Sequence, residues 1–429
     1  MAQKTAEELF DAEIRRSLET FGKILRAYFR RMPDDSLETL LLISMAVFLG
    51  AGNVYQVLQV LGLPKTTTYN RVKNVSVYCW RQLMQKHLYS QAIPLVKEKT
   101  SQSESTKSRA GRILAVDDTV LVRISTELGY VWKWWSGQLK RVANGQNVIA
   151  LILVLGDQII PLDIRIVSKQ GKGLKTKPEI YEEMLRDAQT RFEEAGIDFS
   201  QFKTTGDAAY ISGKITAFCR GENLENELDE ETESYNPALL PTITGIFRGK
   251  DNYRLEIDGV VMKAKEWRKE FKEELSSGWA TDKQPVIRTK GFSETFGEVT
   301  LVFYIPKGKR AVSYLIVSGR PLRSAEVLHA FAFHHRIEEF WKCLKDTFEL
   351  GEMHFQGREG AHACIAIKII SFLIVNRMKQ NLRKFKRFKN ITINKLVNLC
   401  PKFVDVREIL KEHFHGLIPP NHTLDKALA

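Results

Sequence analysis

The stretch that most constrains this chain is Arg112–Leu121, R-I-L-A-V-D-D-T-V-L. Ile113 to Val116 form an apolar, β-type run that ends abruptly in Asp117 and Asp118. An ionised carboxylate beside a core must be paired, hydrogen-bonded or bound to a cation, because burial strongly disfavours its charge. A single acid there would be read as a turn cap. Two later segments each present another acid that can reach the same point.

The second acid is Asp207, in F-K-T-T-G-D-A-A-Y. It closes a short strand predicted over Phe202 to Asp207, and A-A-Y-I-S-G then reads as the start of a helix. The third lies in H-H-R-I-E-E-F-W-K-C-L-K, His334 to Lys345. Ile337, Phe340, Leu344 and Phe348 recur at helical spacing and define an apolar face. Glu338 is one step of about 100° from Ile337 and borders that face, whereas Glu339 points away. An acid that serves a sheet edge from a packed helix must be Glu338. Its stripe carries His334, Trp341, Lys342 and Lys345, a set suited to holding a phosphate strand. The plainer alternative is an exposed helix with i,i+4 ion pairs.

Three carboxylates from two strand ends and a helix can hold two divalent ions roughly 3.5–4 Å apart. Oxygen-only ligands suit Mg²⁺ or Mn²⁺ rather than zinc. The chemistry such a site supports is in-line attack on phosphorus by a water or a 3′-hydroxyl. A net charge of +13 favours a polyanionic partner, nucleic acid before an anionic membrane. No two of the five cysteines sit at C-x-x-C spacing, which excludes a zinc ribbon and fits a reduced, intracellular setting. The N-terminus lacks a signal-peptide pattern. The apolar runs Leu40–Leu49 and Cys364–Val375 read as buried helices, not membrane spans.

Along the chain, residues 6–32 predict an amphipathic helix ended by Pro33, and Ser36 is the expected N-cap of a second helix through Leu49. Asn53 to Lys73 read as helix, turn at Gly62, and second helix. That second helix offers Lys65, Thr66, Thr67, Tyr69, Asn70, Arg71 and Lys73, residue types that touch phosphates and base edges. A helix-turn-helix and an ordinary helical hairpin with a solvated basic face both fit. Ser-rich residues 99–109 read as a linker. Strands are expected at Tyr130–Trp135, Asn147–Leu155 and Ile159–Val167, with a helix over Pro178–Gly196. The acid-rich run 222–233 reads as a solvated face. Residues 240–317 read mostly as strands, with hairpins turning at Asp258-Gly259 and at Pro306–Gly308. From Ser324 to about Lys384 two long helical segments are expected, and Arg383–Lys389 mixes bases with Phe.

These motifs together resemble DDE-type cut-and-paste insertion-sequence transposases. The likeness rests on V-D-D-T at Val116–Thr119, G-D-A-A-Y at Gly206–Tyr210 and R-I-E-E-F-W-K-C-L-K at Arg336–Lys345, with a β-rich insertion before the glutamate. It covers about residues 110–385. One large branch carries a Tyr-Arg-Glu-Lys signature. With Glu338 as its Glu, Lys345 falls on the Lys, while Phe331 and His334 replace the Tyr and Arg. His335 or Arg336 are then alternatives for the phosphate contact. The resemblance implies an RNase H-like catalytic core interrupted by a β-rich insertion and preceded by an all-helical DNA-binding domain, a mixed α+β and α/β chain. Its divisions would be 1–105 (helical, DNA-binding), 106–235 (core, first part), 236–317 (insertion), 318–385 (core, second part) and 386–429 (basic helical tail).

The resemblance further implies Asp117, Asp207 and Glu338 as catalytic metal ligands, with two Mg²⁺ or Mn²⁺ ions. Asp117 is preferred by its spacing to Thr119, and Asp118 stays the alternative. The implied partners are double-stranded transposon ends and target DNA, bound by a homodimer in a synaptic complex, with no membrane. The implied setting is the cytoplasm and nucleoid of a prokaryote. In such transposases an insertion aromatic stacks on a flipped base, and Trp267 and Trp279 are the candidates. Two rivals remain: a nuclease that hydrolyses without joining, and a non-catalytic DNA-binding relative. Phosphate contacts release counterions, so affinity for end DNA is expected to fall steeply and linearly on a log–log plot against salt. Fluorescence anisotropy at several salt concentrations checks this, and a flat response would count against a phosphate-reading protein.

Overall fold

The computed structural model describes residues 5–28, 32–51, 53–73, 75–101, 112–124, 128–137, 139–170, 174–222, 242–277, 284–352 and 354–418. The helices α1 (Ala6–Tyr28), α2 (Asp34–Met45), α3 (Val54–Leu61), α4 (Lys65–Lys73), α5 (Val77–Gln82) and α6 (Leu88–Ser101) precede the first strand. Then come β1 (Arg112–Val122), β2 (Trp132–Ser136), β3 (Arg141–Leu155), β4 (Gln158–Ile166), α7 (Lys177–Glu194), β5 (Lys203–Gly206), α8 (Gly213–Arg220) and β6 (Thr244–Arg248). A β-rich segment follows, with β7 (Arg254–Ile257), β8 (Val260–Lys263), α9 (Ala264–Glu270), α10 (Lys272–Ser277), β9 (Val286–Ser293), β10 (Gly297–Tyr304) and β11 (Ser313–Ser318). The chain ends in α11 (Ser324–Ala332), α12 (His335–Asp346), α13 (Gly357–Leu382), α14 (Ile393–Phe403) and α15 (Val406–His413).

Among the described residues the eleven strands join one mixed sheet, ordered β2-β3-β1-β5-β6-β11-β10-β9-β7-β8, with β4 also paired to β3. β1, β5 and β6 run parallel, and β3 runs antiparallel to β1. The central strands are apolar on both faces because helices cover both. Ile113 and Ala115 of β1 face a core shared with α12 and α13, while Leu114 and Val116 face one shared with α7 and α8. The β-rich segment extends the same sheet, since β11 pairs antiparallel with β6 from Leu315↔Arg248 to Ser318↔Gly245.

The N-terminal helices do not form a separate core. α1, α2, α4 and α5 pack on α13, and α1 also packs on α14 and α15. The boundaries expected near 105 and 385 therefore divide the chain but not the helical core. By length and composition α13 alone, among the described helices taken singly, could cross a membrane; 83% of its most apolar window is buried inside the fold. This matches its reading as a core helix.

Several expected boundaries shift for local reasons. The second helix starts at Asp34 behind Pro33, whose fixed φ suits a helix entry, so Ser36 is not its cap but lies buried inside it. The segment after Asp207 is a turn, and the helix begins only at Gly213 with the Ser212 side chain as N-cap. The C-terminal helical part before Lys384 is three helices instead of two, broken before His335 and again between Asp346 and Gly357. The hairpin at Asp258-Gly259 forms as expected, with φ of 50° and 77° at those residues. Trp267 is buried and donates its Nε1–H to the Leu255 carbonyl at 3.0 Å, so it is a core residue and not a free stacking surface. Trp279, most of the expected linker and nearly all of the acid-rich run lie outside the described residues.

Under α12, Phe372 of α13 meets Phe340 edge-on at 5.2 Å and Phe348 at 6.0 Å. Removing that ring leaves a cavity beneath the helix that carries Glu338. Phe372→Ala is expected to destabilise the fold by about 3–5 kcal/mol. Urea denaturation followed by circular dichroism measures it, and a loss under 1 kcal/mol would show that the cluster is not tightly packed.

Candidate active site

Strand register sets the first two acids side by side. Val116 pairs with Gly206 across the parallel β1–β5 ladder, so Asp117 and Asp207 follow on adjacent strands at the same level. Gly206 leaves little room: a Cβ there would stand 3.0 Å from Val116 Cγ1 and 3.3 Å from Tyr210 Cβ. The third acid, Glu338, is exposed on α12 and lines an open cleft of 600 Å³ with Asp117, Trp341, Lys342 and Lys345. Asp207 does not line that cleft; it follows β5, which flanks β1 on the side away from β3. Its Oδ1 lies 3.6 Å from Arg248 Nη1 and 3.7 Å from His334 Nε2, and it is buried without a hydrogen bond.

The period of two along β1 separates the acid doublet. Asp118 points to the α7 side, where three groups occupy its carboxylate. Tyr210 Oη donates to Oδ1 at 2.6 Å, and Asn147 Nδ2 and Lys177 Nζ donate to Oδ2 at 2.6 and 2.7 Å. Asp117 points to the α12 side and remains available to the cleft. Burial pushes its carboxyl up from 3.8 to about 7, and the negative charges of Asp118, Asp207 and Glu338 push the same way. That set of causes places all four acids within electrostatic reach of one point.

Glu339 lies on the outer side of α12, tied to Arg336 at 2.6 Å and near His335 at 3.4 Å. The helical phase thus separates the two glutamates as the sequence pattern implies. Lys345 is half-buried in the cleft wall, and burial lowers its pKa despite nearby Asp117. Lys342 is exposed. Beyond α12, the buried Arg123 anchors the cleft's far wall. Its guanidinium donates to Gln146 Oε1 at 3.0 Å and to the Gly351 carbonyl, and lies 3.3 Å from His354 Nδ1.

Other residues expected to touch DNA are placed differently. His334 is buried, burial holds it below its usual pKa, and it stands 3.7 Å from Asp207 with no hydrogen bond between them. Trp341 is 4% exposed and packs in the core beside Phe340. Arg336 clamps α12 to the β3–β4 turn through the Asp157 carbonyl at 2.8 Å. In α4, Tyr69 packs edge-on against Phe355 at 5.1 Å and Arg71 pairs with Asp35 at 2.7 Å. Lys65, Thr66, Thr67 and Asn70 remain exposed, as does His335, while the Lys73 side chain lies outside the described residues. Arg248, Asn147 and Lys177 were not singled out by sequence, and Tyr210 was marked only as the last residue of G-D-A-A-Y. Tyr210 and Asn147 carried a signal, each being a polar group inside or beside an apolar run.

Among the described residues, no three Asp, Glu, His or Cys side chains stand close enough, as placed, to share one metal ion. The donor chemistry nevertheless fits a hard cation. Asp207 Oδ1 is an orphaned buried acceptor, Asp117 carries surplus negative surroundings, and exposed Glu338 is free to turn toward them. A scan against protein-family models finds no match, and a search of curated proteins finds no relative.

Because Asp117 binds its proton more tightly folded than unfolded, the native state holds the extra proton between pH 3.8 and about 7. In that window its contribution makes stability fall as pH rises, by at most about 4 kcal/mol. In metal-free buffer, urea midpoints of the parent should fall across the window relative to Asp117→Asn. Parallel curves for the two proteins would contradict the shift.

Proposed function

We propose that the chain is a DDE-type DNA transposase that cleaves at the terminal inverted repeats of an insertion sequence and joins the freed 3′-hydroxyl ends to target DNA. The observation that carries this reading is the carboxylate environment of Asp117. It is half-buried in the middle of β1, level with Asp207 just past the end of the next parallel strand, and it lines an open cleft with Glu338. The strand order β4-β3-β1-β5-β6, with β1, β5 and β6 parallel, supports an RNase H-like core.

Asp117, Asp207 and Glu338 would hold Mg²⁺ or Mn²⁺. Such ions supply charge neutralisation at phosphorus and lower the pKa of the attacking hydroxyl or water. Lys342 and Lys345 place cationic groups along the cleft where a phosphate strand would lie. Asp118 takes no part as a ligand, because Tyr210, Asn147 and Lys177 already engage it. Arg248 lies near Asp207 at 3.6 Å without a hydrogen bond, so that carboxylate keeps capacity for a cation. The exposed Lys65, Thr66, Thr67 and Asn70 are the groups on α4 that can meet end DNA. The remaining surface excess of positive charge suits long duplexes. The proposed working form is a synaptic homodimer on two ends, in the nucleoid of a prokaryotic cell.

Strand cleavage and joining on DNA carrying the element's own ends, with Mg²⁺, tests the reading. Asp117→Ala, Asp207→Ala and Glu338→Ala are each expected to lose about a thousandfold or more in cleavage while still binding ends. Glu339→Ala should stay within a few-fold of the parent. Cleaved but never joined products would select a hydrolytic nuclease instead. If all variants cleave like the parent, the acids are misassigned and only a DNA-binding role survives.

A further inference from the structure

The acid doublet contains one carboxylate that the proposed chemistry does not use. Asp118 is nonetheless the most heavily bonded acid of the site. Its two oxygens accept from three donors on three different parts of the chain: Tyr210 after β5, Asn147 on β3 and Lys177 at the start of α7. Tyr210 is fully buried, and its ring meets Tyr181 of α7 edge-on at 5.8 Å. Its backbone amide donates to the Asp207 carbonyl at 3.0 Å, closing the turn that begins with Asp207. From the other side, Tyr253 Oη donates to the Ala208 carbonyl at 3.0 Å. The turn carrying Asp207 is thus fastened at one end to the residue adjoining Asp117 and at the other to the β-rich segment.

We propose that Tyr210 is a positioning residue that, through its hydrogen bond to Asp118, fixes Asp207 relative to Asp117 for divalent-ion binding. The inference rests on the reading of Asp117 and Asp207 as ligands given above. β5 is only four residues long, and both of its ladders, to β1 and to β6, stop at Gly206, so neither reaches Asp207 in the following turn. The Tyr210 hydroxyl supplies the missing constraint as a short bond to a charged acceptor, the strong kind. Lys177 and Asn147 keep Asp118 turned toward it. Groups that orient metal ligands from behind commonly change ion affinity by about 10–100-fold when removed.

Mn²⁺ titration followed by electron paramagnetic resonance tests this without relying on activity. Cleavage and end-DNA affinity are measured alongside. Tyr210→Phe keeps the ring and deletes only the hydroxyl. It is expected to weaken Mn²⁺ binding about tenfold and to slow cleavage at saturating DNA, leaving end-DNA affinity unchanged. In an Asp118→Ala background the same change should have no further effect on Mn²⁺ affinity. Lys177→Met, which frees Asp118 to turn, should reproduce part of the loss and stands in should Tyr210→Phe fold poorly. A parent that binds Mn²⁺ and cleaves, beside a Tyr210→Phe variant that binds Mn²⁺ equally well, overturns the inference alone. Additive losses in the double variant also overturn it. A parent that neither binds Mn²⁺ nor cleaves overturns the transposase reading and this inference with it.

Discussion

The pairing of β1 with β5 is the interaction on which the rest of the site depends. It is a short parallel ladder, four residue pairs from Ile113↔Lys203 to Val116↔Gly206. Parallel strands cannot be joined by a hairpin, so β1 and β5 meet only because β3, β4 and α7 lie between them in sequence and return the chain. The antiparallel β1–β3 ladder is much longer, running from Arg112↔Leu155 to Val122↔Gly145, and it holds β1 along its whole length. The middle of β1 and the end of β5 then deliver their acids at one level, and α12 brings a third from above the sheet.

Electrostatics at that point are deliberately unbalanced. Four carboxylates approach one another, while the nearest cations are spread around them: Lys177 on one face, Arg248 behind Asp207 and Lys345 in the cleft wall. Asp118 is neutralised locally by Lys177, and Asp207 only loosely by Arg248 at 3.6 Å. Asp117 is left with burial and like charge. A core that needed only stability would have no such residue, since an apolar side chain there would remove the penalty. The strain is concentrated where a cation and a phosphate would relieve it.

Much of this was legible in the sequence, for identifiable reasons. Asp117 and Asp207 stood out because each stops an apolar or β-type run; β5 does end at Gly206, but β1 continues past its acids to Val122, because pairing with β3 carries it on. The 3.6-residue period separated Glu338 from Glu339, and Asp-Gly between alternating residues located the β7–β8 turn. The failures are long-range. His334 and Trp341 lie on the stripe that flanks Glu338, but their burial depends on β5, β6 and α13, which no local pattern reveals. The union of the N-terminal helices with α13 is likewise a packing outcome. The choice between Asp117 and Asp118 falls in between. The alternation that sends them to opposite faces is readable, yet which face carries α12 and which α7 is known only from the fold.

That alternation bears on how β1 tolerates insertions and deletions. In most half-buried strands the hydrophobic pattern alone prevents slippage, because a shift by one residue turns apolar side chains to water. β1 has no such safeguard. Over Ile113–Val116 both of its faces are apolar and covered, so within that run a slip exchanges one buried apolar side chain for another. What distinguishes the two registers is polar: Asp118 must find Tyr210, Asn147 and Lys177, and a slipped strand would present Asp117 or Thr119 to them instead. A single-codon indel between Arg112 and Val116 would therefore be felt as stranded polar groups, with Tyr210, Asn147 and Lys177 deprived of the Asp118 carboxylate, and not as apolar surface turned to water.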